Sequence, residues 1–73
     1  MMINWQPTCC EWHGEYAEAA TKDGGVARLK RAPDIDLWKV CRFGPDNKAI
    51  DKDVDGVPAY VDLSEADALA LLA

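Results

Sequence analysis

The sequence predicts a small α+β domain: an antiparallel sheet of about four or five strands with a C-terminal α-helix packed on one face. Three observations predict it. Turn-forming clusters recur at short intervals (Lys22-Asp23-Gly24-Gly25, Ala32-Pro33-Asp34, Gly44-Pro45-Asp46-Asn47 and Asp55-Gly56), leaving strand-length segments between them. Residues 37–43 are apolar on both sides of a two-residue period, as in a central strand. The C-terminus is an Ala/Leu run behind a helix-capping serine. At 73 residues the chain is one domain, 1–73. A chain of this size buries only about 60% of its unfolded surface, so its stability margin is narrow. Trp5, Trp12, Trp38, Tyr16, Tyr60 and Phe43 are therefore expected to anchor the core.

The first third admits two readings. Thr8 and Glu11 have capping-box spacing, Trp12, Tyr16 and Ala19 or Ala20 share a helical face, and Asp23-Gly24 is a helix stop. Against that helix, Gly14 sits mid-segment, and residues 15–20 ahead of a Gly-Gly turn read equally well as a strand. Residues 8–22 stay open between the two. Residues 26–31 alternate as a strand, and 37–43 follow, with Trp38 and Val40 facing one way and Leu37, Cys41 and Phe43 the other. Residues 49–54 and 57–61 are expected as the arms of a hairpin around Asp55-Gly56. That turn pairs Val54 with Val57 and Ile50 with Val61, and places Pro58 on an edge. Ser64 then caps the helix, Asp67 imitates a capping box, and Glu65 and Asp67 suit the positive end of its dipole. So short a helix must dock on the sheet to persist.

Composition narrows the function classes. Three cysteines do not make a disulfide scaffold, no signal peptide is visible, and the longest apolar run, 68–73, cannot span a bilayer. A cytoplasmic, reducing setting is expected. The net charge of −5 is segregated: −3 over residues 1–21, +3 over 22–45 and −5 over 46–73. An acidic field of that density repels nucleic acid and attracts basic clefts, so neither a nucleic-acid nor a membrane partner is expected. A deep catalytic pocket is hard to enclose on this scale, and no cofactor motif is visible.

Four constellations carry chemistry. Asp51, Asp53, Asp55 and Asp62 occupy positions 1, 3, 5 and 12 of a calcium loop, with Gly56 at position 6. Asp62 is shorter than the usual bidentate glutamate, however, and Pro58 lacks an N–H, so a plain Asp55-Gly56 hairpin competes with the metal reading. Cys10-x-x-His13 has zinc-ligand spacing, with Cys9 adjacent and Cys41 on a strand that could approach. The competing reading is buried cysteine and packed histidine. A helix beginning at Thr8 would also activate Cys9 or Cys10 beside His13, yet no oxyanion-binding loop accompanies them. The bases Arg28, Lys30, Arg31, Lys39 and Arg42 read as solvated strand positions, since no aromatic–basic interleaving runs along the chain. The acids Asp46, Asp51, Asp53, Asp55, Asp62, Glu65 and Asp67 remain. Spaced carboxylates on rigid elements can imitate a row of phosphates, and the plain alternative is a solubilising face.

Residues 12–19 (WHGEYAEA), 37–44 (LWKVCRFG) and 62–67 (DLSEAD) with the Ala/Leu tail resemble small proteins carried by phages and prophages. About two-thirds of the chain is covered, and no catalytic or ligand motif is shared. The resemblance implies a small antiparallel sheet closed by a C-terminal helix. Size, acidity and lack of cofactor motifs are also similar to anti-CRISPR proteins, several of which act as DNA mimics on Cas complexes. That likeness implies a non-enzymatic inhibitor in a bacterial host cell, whose acidic surface blocks a basic nucleic-acid-binding complex such as a Cas effector. The competing expectation is a calcium-binding interaction module built on Asp51, Asp53, Asp55 and Asp62.

Overall fold

Alternation of buried and exposed side chains sets the sheet. The computed structural model describes residues 3–8, 14–32 and 35–73. In chain order the strands are β1 (Gln6–Pro7), β2 (Glu15–Ala20), β3 (Val26–Arg31), β4 (Trp38–Phe43) and β5 (Val61–Leu63), followed by helix α1 (Glu65–Ala70). They form one antiparallel sheet in the order β1-β2-β3-β4-β5, a meander in which each strand lies beside its sequence neighbour. In the register, Ala17 faces Leu29, Leu29 faces Val40 and Val40 faces Val61. That row and its neighbours Ala27 and Trp38 point to one side, where Ala68 and Leu72 close the core. Ile3, Trp5, Ala19, Leu63 and Leu71 pack around the margin.

The ambiguity over residues 8–22 resolves as strand from Glu15 onward, while the segment 9–13 lies outside the described residues. Thr8 donates its backbone N–H to Gly14, so its pairing there is that of an edge strand. Trp38 and Val40 share the core side as expected, but Leu37 precedes β4 and is exposed. Trp5 and Trp38 do anchor the core margin, meeting edge to face with ring centroids 5.0 Å apart, and the Arg31 guanidinium lies 3.9 Å from the Trp5 ring. Tyr16, Tyr60 and Phe43 do not join that core. Trp12 lies outside the described residues.

Three hairpin loops share one backbone solution. In each, the residue before the loop donates its N–H to the carbonyl four residues on and accepts from the residue three on. The loops are Lys22-Asp23-Gly24, Pro45-Asp46-Asn47 and Val54-Asp55-Gly56, and the third residue of each is left-handed, at φ 90°, 65° and 80°. This is the three-residue turn that needs only one residue at positive φ. The third loop corrects the expected register. Asp53 pairs with Val57, Lys52 bridges Pro58, and Val54 stands at the tip at 101% exposure. A two-residue turn would need positive φ at Asp55 as well as at Gly56. The longer loop avoids that cost and lets the Asp53 carboxylate accept N–H bonds from Asp55 and Val57. The arms 49–54 and 57–61 thus make isolated bridges, and residues 61–63 pair with β4 instead.

The helix is capped from two directions. Ser64 Oγ accepts the Asp67 N–H at 3.2 Å, and the carboxylate of Asp36, far away in sequence, accepts the Glu65 N–H at 2.9 Å. Asp36 thus satisfies the N–H of the first helical residue, a different donor from the Ser64 N–H that a capping-box Asp67 would take. Beyond α1, the chain end runs antiparallel to the end of β2: Lys22 donates to Leu71, Ala73 donates to Ala20, and Thr21 bridges Leu72. With β1 at one end and residues 71–73 at the other, the outer edge of β2 is largely covered, which protects it from pairing with other chains.

Candidate interaction surfaces

Within the segment 44–67, residues 49–50 and β5 lie beside the outer edge of β4, the hairpin 51–59 joins them, and the start of α1 follows. The segment carries all seven acids expected to bind a partner. Asp46, Asp53, Asp55, Asp62, Glu65 and Asp67 are exposed. Several are held in place by the fold. The Asp46 carboxylate accepts the Lys48 N–H at 3.1 Å, Asp53 accepts its two turn N–H groups at 2.9 and 3.0 Å, and Asp62 meets the Lys39 ammonium at 2.9 Å. Asp55 differs from its loop counterparts. Asp23 and Asp46 each accept the N–H two residues on, whereas in the third loop Asp53 takes that N–H. The Asp55 carboxylate makes no hydrogen bond or ion pair among the described residues.

Asp51 leaves this surface. It is 8% exposed, and its carboxylate accepts three bonds from Arg42: the backbone N–H at 2.9 Å, Nε at 3.0 Å and Nη2 at 2.9 Å. Those side-chain bonds hold the Asp51 carboxyl below the ordinary carboxylate range despite its burial. The same pairing bears on the calcium expectation. Asp51 turns inward to Arg42, Asp53 is spent on its own turn and Asp62 on Lys39. Among the described residues no group of three or more His, Cys, Asp or Glu side chains is placed to hold a metal ion.

Of the cysteine and histidine constellation, Cys9, Cys10 and His13 lie outside the described residues. Cys41 is buried, with its thiol 3.7 Å from the Asp51 carbonyl oxygen. Burial first, and the Asp51 charge second, push its pKa up, as for an unreactive packed thiol. A depression of about 220 Å³ between the β2–β3 loop and the end of α1 is lined by Thr21, Lys22, Asp23, Arg42, Ala70 and Leu71. Its Arg42 is paired with Asp51, and the Thr21 hydroxyl bonds the Asp23 carboxylate.

The bases of the middle segment are mostly paired, as their solvated reading implies. Arg28 lies 4.0 Å from Glu18, Arg31 3.0 Å from Glu15 and Lys39 2.9 Å from Asp62. The sheet also does what the linear sequence does not. On the side away from the core, Tyr16, Lys30, Lys39 and Asp62 lie in one cross-strand row, with Glu18, Arg28 and Cys41 in the next. The Lys30 ammonium stands 4.7 Å over the Tyr60 ring, and the Arg28 guanidinium 4.7 Å over Phe43. Burial raises the pKa of both tyrosine hydroxyls. Sequence reading missed this surface because the interleaving runs across strands; the register alone reveals it.

Comparison with protein-family models, with curated proteins and with solved structures finds no match. Among the described residues, no helix is long and apolar enough to cross a membrane.

Proposed function

We propose that this chain is a non-enzymatic inhibitor of the phage type, an anti-CRISPR-like DNA mimic whose acidic margin occupies a basic nucleic-acid-binding cleft of a host Cas complex. The observation that carries the reading is six exposed carboxylates, Asp46, Asp53, Asp55, Asp62, Glu65 and Asp67, on the loops, strand β5 and helix start that follow β4. Hydrogen bonds fix three of them before any partner arrives. A cleft shaped for a phosphate backbone answers to the spacing of negative charge, and pre-positioned charges lose less entropy on binding.

The test is recovery of a Cas complex from bacterial lysate by the tagged protein, over a salt series, with EDTA or calcium present. Wild type is expected to recover the complex equally with either addition, to lose it as salt rises and to be competed off by DNA. D55K/E65K, which touches neither Asp51 nor Asp53, is expected to bind at least about tenfold more weakly while remaining folded. Undiminished binding by that variant would remove the mimicry reading. Recovery that requires calcium would replace it with the calcium module.

A further inference from the structure

The sheet has two unlike faces. One is covered by α1 and the Trp5 segment; on the other, Cys41 is buried against Asp51, and the described residues leave Glu18, Arg28, Lys30, Lys39 and Asp62 exposed and Tyr16 and Phe43 half-buried. Lys30 lies directly opposite Lys39 on adjacent strands, a like-charge pairing that disfavours the sheet. Asp62 relieves Lys39, whereas among the described residues Lys30 meets only the ring of Tyr60. A local choice that works against stability, with no compensating ion pair at Lys30 among the described residues, is expected where a surface has another use.

We infer that this face binds single-stranded nucleic acid, with Tyr16 and Tyr60 as stacking platforms for bases and Arg28, Lys30 and Lys39 as contacts for phosphate. The chemistry selects the occupant. Rings set among cations suit a polymer that alternates flat aromatic units with anions, and base–aromatic stacking is tolerant of sequence. A duplex keeps its base faces stacked inside and cannot use the rings. An acidic peptide would answer the cations and leave the rings without a counterpart. The surface meets the acidic margin at Asp62, but the inference does not depend on the proposal made for that margin. Three cations set against Glu18 and Asp62, on a chain of net charge −5, make the binding weak and confined to low salt.

The test is fluorescence anisotropy of labelled oligo(dT) and oligo(rU), titrated with the full chain over a low-salt series. Three phosphate contacts correspond to a slope of log affinity against log salt of about −2. K30Q/K39Q should lower the slope by about 1.4. Y60L, which retains every charge, should weaken binding roughly five- to a hundredfold, and each variant is checked for folding by its amide spectrum. Any of three results overturns the inference: no binding by folded wild type at low salt, equal affinity for duplex DNA, or unchanged affinity in both folded variants. Displacement by oligoglutamate as effective as by unlabelled oligo(dT) would also overturn it and assign the face to an acidic polypeptide.

Discussion

Arg42 lies where β4 runs past the end of β5, so its backbone N–H has no strand residue opposite, and the Asp51 carboxylate supplies the missing acceptor. The same carboxylate takes two bonds from the guanidinium, tying the excursion 44–60 to the sheet. Because these bonds depress the Asp51 pKa in the folded chain, the stability they contribute is present above the unfolded carboxyl value, near 3.9. It is lost as pH falls through the lower folded value. D51N keeps an acceptor oxygen but loses the charge. The arginine side chain is one-third exposed, so water replaces part of the loss. A destabilisation of about 1–3 kcal/mol is expected at neutral pH, several degrees or more of melting temperature in a chain this small. Thermal melts from pH 7 to pH 3 should show the gap between D51N and wild type closing below about pH 4. A constant gap would mean the charge of Asp51 contributes nothing. From sequence this aspartate is one acid among seven; its inward role depends on Arg42 nine positions earlier, which no local spacing announces.

At the scale of elements, the turns were the most legible feature and their registers the least. Asp-Gly and Asp-Asn mark all three hairpin loops, because each loop needs one residue that tolerates positive φ and one that bonds nearby N–H groups. The choice between a two- and a three-residue loop depends on the Asp53 bonds, and that choice shifts the hairpin 49–61 by one position. Two glycines make the point testable. Gly56 has φ 80°, and a methyl group added there would meet nothing within 4 Å, whereas a Cβ on Gly25 would lie 1.9 Å from the Phe43 carbonyl oxygen. G56A should therefore cost only the left-handed strain, about 1 kcal/mol. G25A must push β3 and β4 apart and should cost more than about 3 kcal/mol, enough to unfold much of a marginal domain. Circular dichroism melts of the two variants decide it, and equal costs would contradict the close approach at Gly25.

Across the whole molecule, the sheet segregates charge more strongly than the chain order does. Residues 44–67 carry the carboxylates on the loops, β5 and the helix start, while Arg28, Lys30 and Lys39 gather with Tyr16 and Tyr60 on the face away from the core. The first pattern was legible because it is contiguous in sequence. The second was not, because it joins Tyr16, Lys30, Lys39 and Tyr60 across four segments. If the margin serves a partner, those of its carboxylates that make no bond within the fold should contribute little or nothing to stability, since mutual repulsion of the acids opposes the compact state. Asp55 is the clearest case, because its carboxylate has no partner among the described residues. D55K is expected to leave the melting temperature unchanged, or to raise it by a few degrees at about 10 mM salt, where the Debye length is near 30 Å. The gain should fade near 150 mM, where screening shortens that length to about 8 Å. Stability kept while Cas binding falls would mark Asp55 as a residue retained for contact at the expense of the fold. A drop of several degrees in D55K would instead make Asp55 structural, and any loss of binding in that variant would then follow from a weakened hairpin.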